Sequence, residues 1–301
     1  MWEAIQKFFA TILALFLGLF GINQPQTFAN VAYSTVSVAQ KMDVYIPKDA
    51  KGATNVVLFI HGGGWVGGDK DNYTSAAKEM ARQGYVAATM NYRMLEQGSA
   101  TDFRDMLDDI DSAIVKLDAF LREKSVIPQK LAISGASAGG HLTMLYGFTH
   151  YESCKIPIAF LAPDVGPSDF TDLDYIDMLG ADAILPLISA LAGEVVTAAD
   201  VKNGADVLKE MSPVHQVKSG IPPTLLRYGG QDELVPLSNG SSVKAALDAA
   251  GVPNDYFVYT NSGHGLSNTA NKPGTDYAVN QAYQAKLQEY LRLYFPQAVT
   301  L

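Results

Sequence analysis

The stretch Gly135-Ala136-Ser137-Ala138-Gly139 constrains this chain more than any other. It stands between Lys130-Leu131-Ala132-Ile133-Ser134, an apolar run suited to a buried strand, and His141-Leu142-Thr143-Met144-Leu145, which reads as a helix. A strand-to-helix turn of so few residues leaves no room for bulk on either side, and glycine occupies both flanks. The serine is then held out at the head of a sheet, as in a nucleophile elbow. A layered α/β architecture is the scaffold that supplies such a turn.

The rest of the chain agrees with that scaffold. Met42 to Pro47, Asn55 to Ile60, Tyr85 to Tyr92, Leu131 to Ser134, Ile158 to Ala162, Thr224 to Tyr228 and Asp255 to Thr260 read as strands. Tyr73 to Gln83, Phe103 to Leu121, the segment from the elbow to about Phe148, Ser241 to Ala250 and Tyr277 to Tyr294 read as helices. Alternation of this kind implies right-handed crossovers and a mainly parallel central sheet with helices on both faces. The acidic side of Phe103 to Leu121 reads as a solvated face. The stretch from about residue 168 to 218 breaks the rhythm and carries the apolar patch Ile184 to Ala192. It is expected to be a small helical insertion, or cap, after the strand at about 158–162, lying over the strand ends. The alternative is one crossover helix with a long loop.

Hydrophobic residues make up 48% of the 301, enough for a large core, and the net charge of −9 argues against nucleic acid or an anionic membrane as partner. Phe8 to Phe20 is almost wholly apolar, yet shorter than the roughly 20 residues that span a bilayer. Residues 1–29 are expected to be a signal peptide with Thr27-Phe28-Ala29 as the cleavage site, or else an uncleaved anchor. The remaining 30–301 would form one exported α/β domain with no stable membrane association. Cys154 is the only cysteine, so no intrachain disulfide is available.

A serine hydroxyl needs a base at neutral pH, and five histidines are candidates. His141 follows the serine by one helical turn, on a rigid element. His150 and His215 lie away from the elbow, and these three suit packing or surface hydrogen bonds. His264, in Asn261-Ser262-Gly263-His264-Gly265 just past the last strand, can approach from the same rim. Asp232, in Gly229-Gly230-Gln231-Asp232-Glu233-Leu234-Val235-Pro236, opens onto that rim too and can orient the imidazole. Glu233, Asp164 and Asp169 are its competitors. Phe59-Ile60-His61-Gly62-Gly63-Gly64-Trp65 places bare backbone amides after a buried strand, where with Ala138 N–H they can surround an oxyanion. His61 suits an anchoring role, and Trp65 and Tyr92 are candidate pocket residues or core. No dinucleotide fingerprint and no histidine–carboxylate run at metal-ligand spacing is present, so neither cofactor nor metal is expected.

His61-Gly62-Gly63-Gly64-Trp65, Gly67-Gly68-Asp69, Asn91-Tyr92-Arg93, Gly135-Ala136-Ser137-Ala138-Gly139-Gly140-His141 and Gln231-Asp232 with Val235-Pro236 together resemble the α/β-hydrolase carboxylesterases. The likeness is to hormone-sensitive-lipase-like esterases and to bacterial esterases grouped with feruloyl and acetyl-xylan esterases. It covers roughly Met42 to Pro296, and the order Ser, Asp, His is that of the fold. The resemblance implies the α/β-hydrolase fold and a triad of Ser137, Asp232 and His264. It implies an oxyanion hole from the amides of Gly63, Gly64 and Ala138, with Gly62 as a substitute. It further implies hydrolysis of a small-molecule or carbohydrate-linked ester, with amide or peptide hydrolysis and a non-catalytic binding module as alternatives. The acid stands in Gln-Asp-Glu-Leu-Val-Pro rather than the Asp-Pro-Leu form of the hormone-sensitive-lipase branch, so that branch's substrate preference does not carry over.

Overall fold

A computed structural model describes residues 24–96 and 100–296. Eight strands form one sheet in the order β1-β2-β4-β3-β5-β6-β7-β8. They are β1 (Gln26–Ala32), β2 (Lys41–Ile46), β3 (Gly52–Ile60), β4 (Val86–Met90), β5 (Val126–Ala136), β6 (Ile158–Asp164), β7 (Thr224–Gly229) and β8 (Asn254–Tyr259). The first two pairings, β1 with β2 and β2 with β4, are antiparallel, and the other neighbours run parallel.

Strand alternation explains why helices cover both faces. Val56, Leu58 and Ile60 of β3 face one core. There they meet Met106, Ile110, Ile114 and Leu117 of α2 (Phe103–Glu123) and Leu142, Leu145 and Phe148 of α3 (Ala138–Thr149). Val57 and Phe59 face the other. That core is closed by Ala77 and Ala81 of α1 (Thr74–Arg82) and by Tyr283, Tyr290 and Leu291 of α9 (Tyr277–Tyr294). A strand buried on both sides must be apolar throughout, which is the character of the Asn55 to Ile60 run.

The stretch expected to be an insertion holds short helices and no strand among the described residues. It comprises α4 (Asp174–Leu179), α5 (Ala181–Ala192), α6 (Ala198–Asn203), α7 (Asp206–Met211) and a 3₁₀ turn at Pro213–Gln216. The apolar patch is α5, which buries Ile184, Ile188, Leu191 and Ala192 along one side at helical spacing. A last crossover helix, α8 (Leu237–Ala249), joins β7 to β8.

Two readings need amendment. The acidic side of α2 is not wholly a solvated face. Asp109 and Asp118 are buried, the first against Arg93 and the second against Arg122. Periodicity alone classes both as solvent-facing because their arginine partners restore the missing solvation. The strand β1 was also not anticipated. It pairs with β2 from Gln26 to Ala32 and contains Thr27, Phe28 and Ala29. Of the 1–29 leader reading, residues 1–23 lie outside the described residues. Among the described residues, no helix is long and apolar enough to cross a membrane.

Register positions the functional rim. Ile60 stands opposite Gly135, Ala136 opposite Asp164, Asp164 opposite Arg227, and Gly229 opposite Tyr259. The carboxyl ends of β3, β5, β6, β7 and β8 therefore finish side by side, and the loops that leave them converge on one edge of the sheet.

Candidate active site

Ser137 holds φ 57° and ψ −124° between β5 and α3. Such a backbone is rare for a residue with a side chain and stores on the order of 1–3 kcal/mol of strain. Its surroundings enforce it. The Ser137 N–H donates to Asp164 O at 2.9 Å, and its carbonyl accepts from His141 N at 2.9 Å to start the helix. A Cβ on Gly139 would lie 2.1 Å from the Ile60 carbonyl oxygen, so only glycine lets the helix pass that close to β3. The hydroxyl caps no N–H of α3, which leaves it unengaged by its own helix.

Asp232 and His264 meet on the same edge. His264 Nδ1 lies 2.8 Å from Asp232 Oδ2, and the Asp232 side chain is 1% exposed. The other carboxylate oxygen accepts from Leu234 N at 2.9 Å and Val235 N at 3.0 Å. With Oδ1 held by two backbone donors, Oδ2 is left to receive the imidazole N–H, and the ring carries its free lone pair on Nε2. Backbone bonds lock the two loops together, Gln231 N to Ser262 O at 3.0 Å and Gly230 N to Tyr259 O at 2.8 Å. Among the described residues the structure unites Asp232 with His264 and gives Ser137 Oγ no hydrogen bond to the ring. In ligand-free enzymes that link commonly forms only with substrate bound.

The competing acids are otherwise occupied. Asp164 forms a two-point pair with Arg227, whose guanidinium also lies over the Tyr283 ring. Asp169 accepts from Thr171, and Glu233 points to solvent. A further acid, Asp276, was not anticipated from sequence. Its carboxylate accepts from Asn261 N at 3.0 Å and Ser262 Oγ at 2.6 Å, pinning the root of the His264 loop. Burial works to raise this carboxyl, and the hydrogen bonds from Ser262 and Asn261 outweigh it and hold it below the usual range. Its distance in sequence from His264 gives no signal of the contact.

The glycine loop after β3 folds back against the elbow. Gly63 O accepts from Val66 N and Gly67 N in a tight turn, with φ 116° at Gly63. A Cβ on Gly62 would sit 3.2 Å from the Ser137 Cβ, so the backbone at Gly62 borders the serine. His61 anchors the loop as expected. It is fully buried, its Nδ1 lies 2.8 Å from Gly62 O, and burial pushes the imidazole toward the neutral form.

Tyr92 and Trp65 do not line an open pocket. Tyr92 is fully buried, stacks on His61 at 4.4 Å, and donates to His61 O at 3.1 Å. Trp65 is 5% exposed and turns inward. Both are packed into the interior beside the loop. Asn91 accepts from Lys70 N and donates to Asp69, and Arg93 clamps Asp105 and Asp109 of α2.

Val66 from the glycine loop, Leu234 beside Asp232, and Leu173 and Met178 of the insertion are exposed apolar side chains. Asp174, Asp177 and Glu233 are exposed beside them in sequence, and no lysine, arginine or histidine occurs from Val165 to Val201.

Residues 42–247 match the profile of the BD-FAE family. Among curated proteins, the chain is 26% identical over 219 residues to the Mycobacterium tuberculosis protein named "Probable carboxylic ester hydrolase LipM", covering 69% of this chain and 48% of that one. It is also 26% identical over 266 residues to "Esterase LipC" of the same organism, covering 83% of this chain and 64% of that one. The chain thus spans about half to two thirds of these relatives. Among solved structures, a "Truncated form of carbohydrate esterase from gut microbiota" superposes with a TM-score of 0.69 at 20% identity, covering 88% of this chain and 96% of the other. The fold is the α/β-hydrolase fold.

Proposed function

Because the chain belongs to the BD-FAE family, we propose that it is a carboxylic ester hydrolase working through Ser137, His264 and Asp232. The observation that carries this reading is the 2.8 Å contact between the buried Asp232 and His264 Nδ1, on the edge where the strained Ser137 turn opens. The names of the relatives, ester hydrolase and esterase, support it.

His264 Nε2 takes the hydroxyl proton of Ser137 as Oγ attacks the ester carbonyl carbon. The carbonyl oxygen becomes an oxyanion held by the amides of Gly63 or Gly64 and Ala138. Collapse breaks the bond to the alcohol oxygen, which leaves with the proton from His264, and Ser137 is acylated. Water then attacks the acyl carbon as His264 takes its proton. The acid departs and Ser137 regains its hydrogen. Asp232 stays ionised throughout and stabilises the imidazolium.

Substrates are read as small uncharged esters, with short acyl or carbohydrate-linked groups. The exposed apolar side chains Val66 and Leu234, in the glycine loop and two residues after Asp232, favour contact with uncharged groups, and the run from Val165 to Val201, acidic and without lysine, arginine or histidine, disfavours anionic ones. Nitrophenyl acetate, butyrate and decanoate, acetylated xylan and a matched nitroanilide form the test panel. A short nitrophenyl ester is expected to exceed the anilide in kcat/KM by at least ~100-fold, because the better leaving group needs less help from the acid. Faster turnover of the anilide would overturn the ester reading.

A further inference from the structure

His141 is fully buried, and both ring nitrogens are engaged. Nδ1 lies 3.2 Å from Trp65 Nε1, and Nε2 lies 2.8 Å from Met211 O. An indole N–H can only donate and a carbonyl can only accept. The ring is therefore neutral, protonated on Nε2, with its Nδ1 lone pair toward Trp65. The groups that face it from the neighbouring elements are Trp65, Phe170 and the Met211 carbonyl, none of them ionisable in the working range. Burial in that setting pushes the imidazole down to about 4.

Three pieces of the site meet at this one ring. His141 belongs to the first turn of α3, and its N–H is bonded to Ser137 O. Trp65 directly follows Gly64, sits at the unfavourable φ of 61°, and has its carbonyl tied to Leu95 N at 2.8 Å. Met211 ends α7 of the insertion, and the next residue, Ser212, accepts from Phe170 N, whose ring packs on both His141 and Trp65. A left-handed tryptophan needs something to hold it there, and among the described residues its indole N–H is spent on His141.

We infer that His141 is a positioning residue for the oxyanion hole. Through Trp65 it fixes the glycine loop against the serine turn, and through Met211 it ties that loop to the insertion. The inference rests on the reading of Ser137 as nucleophile and goes beyond it, since His141 touches no reacting atom.

The test compares His141→Phe, which keeps a ring and removes both hydrogen bonds, with His141→Gln, whose amide can accept and donate in their place. His141→Phe is expected to lower kcat on a nitrophenyl ester by about 10- to 100-fold, a fraction of the loss on deleting an oxyanion donor, with KM within about twofold. His141→Gln should recover most of that loss. Trp65→Phe should lose as much as His141→Phe, and the double variant no more than either, because the two act as one unit. Amide exchange in 59–68 should quicken in His141→Phe while β5 to β7 stay protected. Wild-type kcat in His141→Phe, additive losses, or exchange rising evenly across the domain would each overturn the inference. If His141→Phe does not fold, Trp65→Phe with the same exchange measurement carries the test. Fluorophosphonate labelling of the wild-type chain separates the two levels. Label on Ser137 with an unaffected His141→Phe refutes only the positioning role, whereas no label on Ser137 refutes the nucleophile itself.

Discussion

Ser137→Ala is expected to lower turnover of a short nitrophenyl ester by about 10⁴- to 10⁶-fold, leaving at most the acceleration supplied by the oxyanion amides and substrate binding. The size follows from the chemistry. Without Oγ no acyl-enzyme can form, and hydrolysis is left to direct addition of water to the ester carbonyl. Folding should be unchanged. The Ser137 hydroxyl caps no N–H of α3, and the bonds that hold the turn run through its backbone to Asp164 and His141. Alanine meets the same positive φ as serine, so the strain is retained rather than relieved. A thermal midpoint within about 2 °C of wild type, with activity lost, is the combined result to look for. Activity within tenfold of wild type would remove Ser137 from the mechanism.

Asp232→Asn should be nearly as severe, about 10⁴-fold in kcat, for a reason legible in its hydrogen bonds. Oδ1 accepts from the backbone N–H groups of Leu234 and Val235, and an asparagine must keep its carbonyl oxygen there. Its NH₂ group is then forced toward His264 Nδ1. A donor at that place requires an acceptor in the ring, so the proton moves to Nε2, where it blocks proton uptake from Ser137. The side chain remains the same size, and the loops stay locked by Gln231 and Ser262. Measured kcat should fall while KM changes little. A loss below about tenfold would show that the pair does not set the tautomer.

Much of this was legible in the chain because the physics is local. A strand-to-helix turn needs glycine where a Cβ would strike Ile60 O, and the Gly135 to Gly139 stretch supplies it. The triad loops follow apolar runs, and parallel strands deliver their loops to one edge. What stayed hidden depends on contacts distant in sequence. The Asp276 clamp on the His264 loop, the arginines that make Asp109 and Asp118 buriable, and the inward turn of Trp65 are of this kind. For Tyr92 the chain leaves pocket and core both open, because an aromatic beside a glycine loop can face either way, and packing on His61 decides for the core. The strand β1 has a mixed exposed pattern, since it edges the sheet and borders β2 alone. Such a strand lacks the apolar alternation that would reveal it.

The most direct measurement is to treat the chain with a fluorophosphonate and identify the modified peptide by mass spectrometry. A single adduct on Ser137, absent in Ser137→Ala and formed far more slowly in Asp232→Asn, is the predicted result. Continued ester hydrolysis with no adduct, or with the adduct on another residue, would contradict the account.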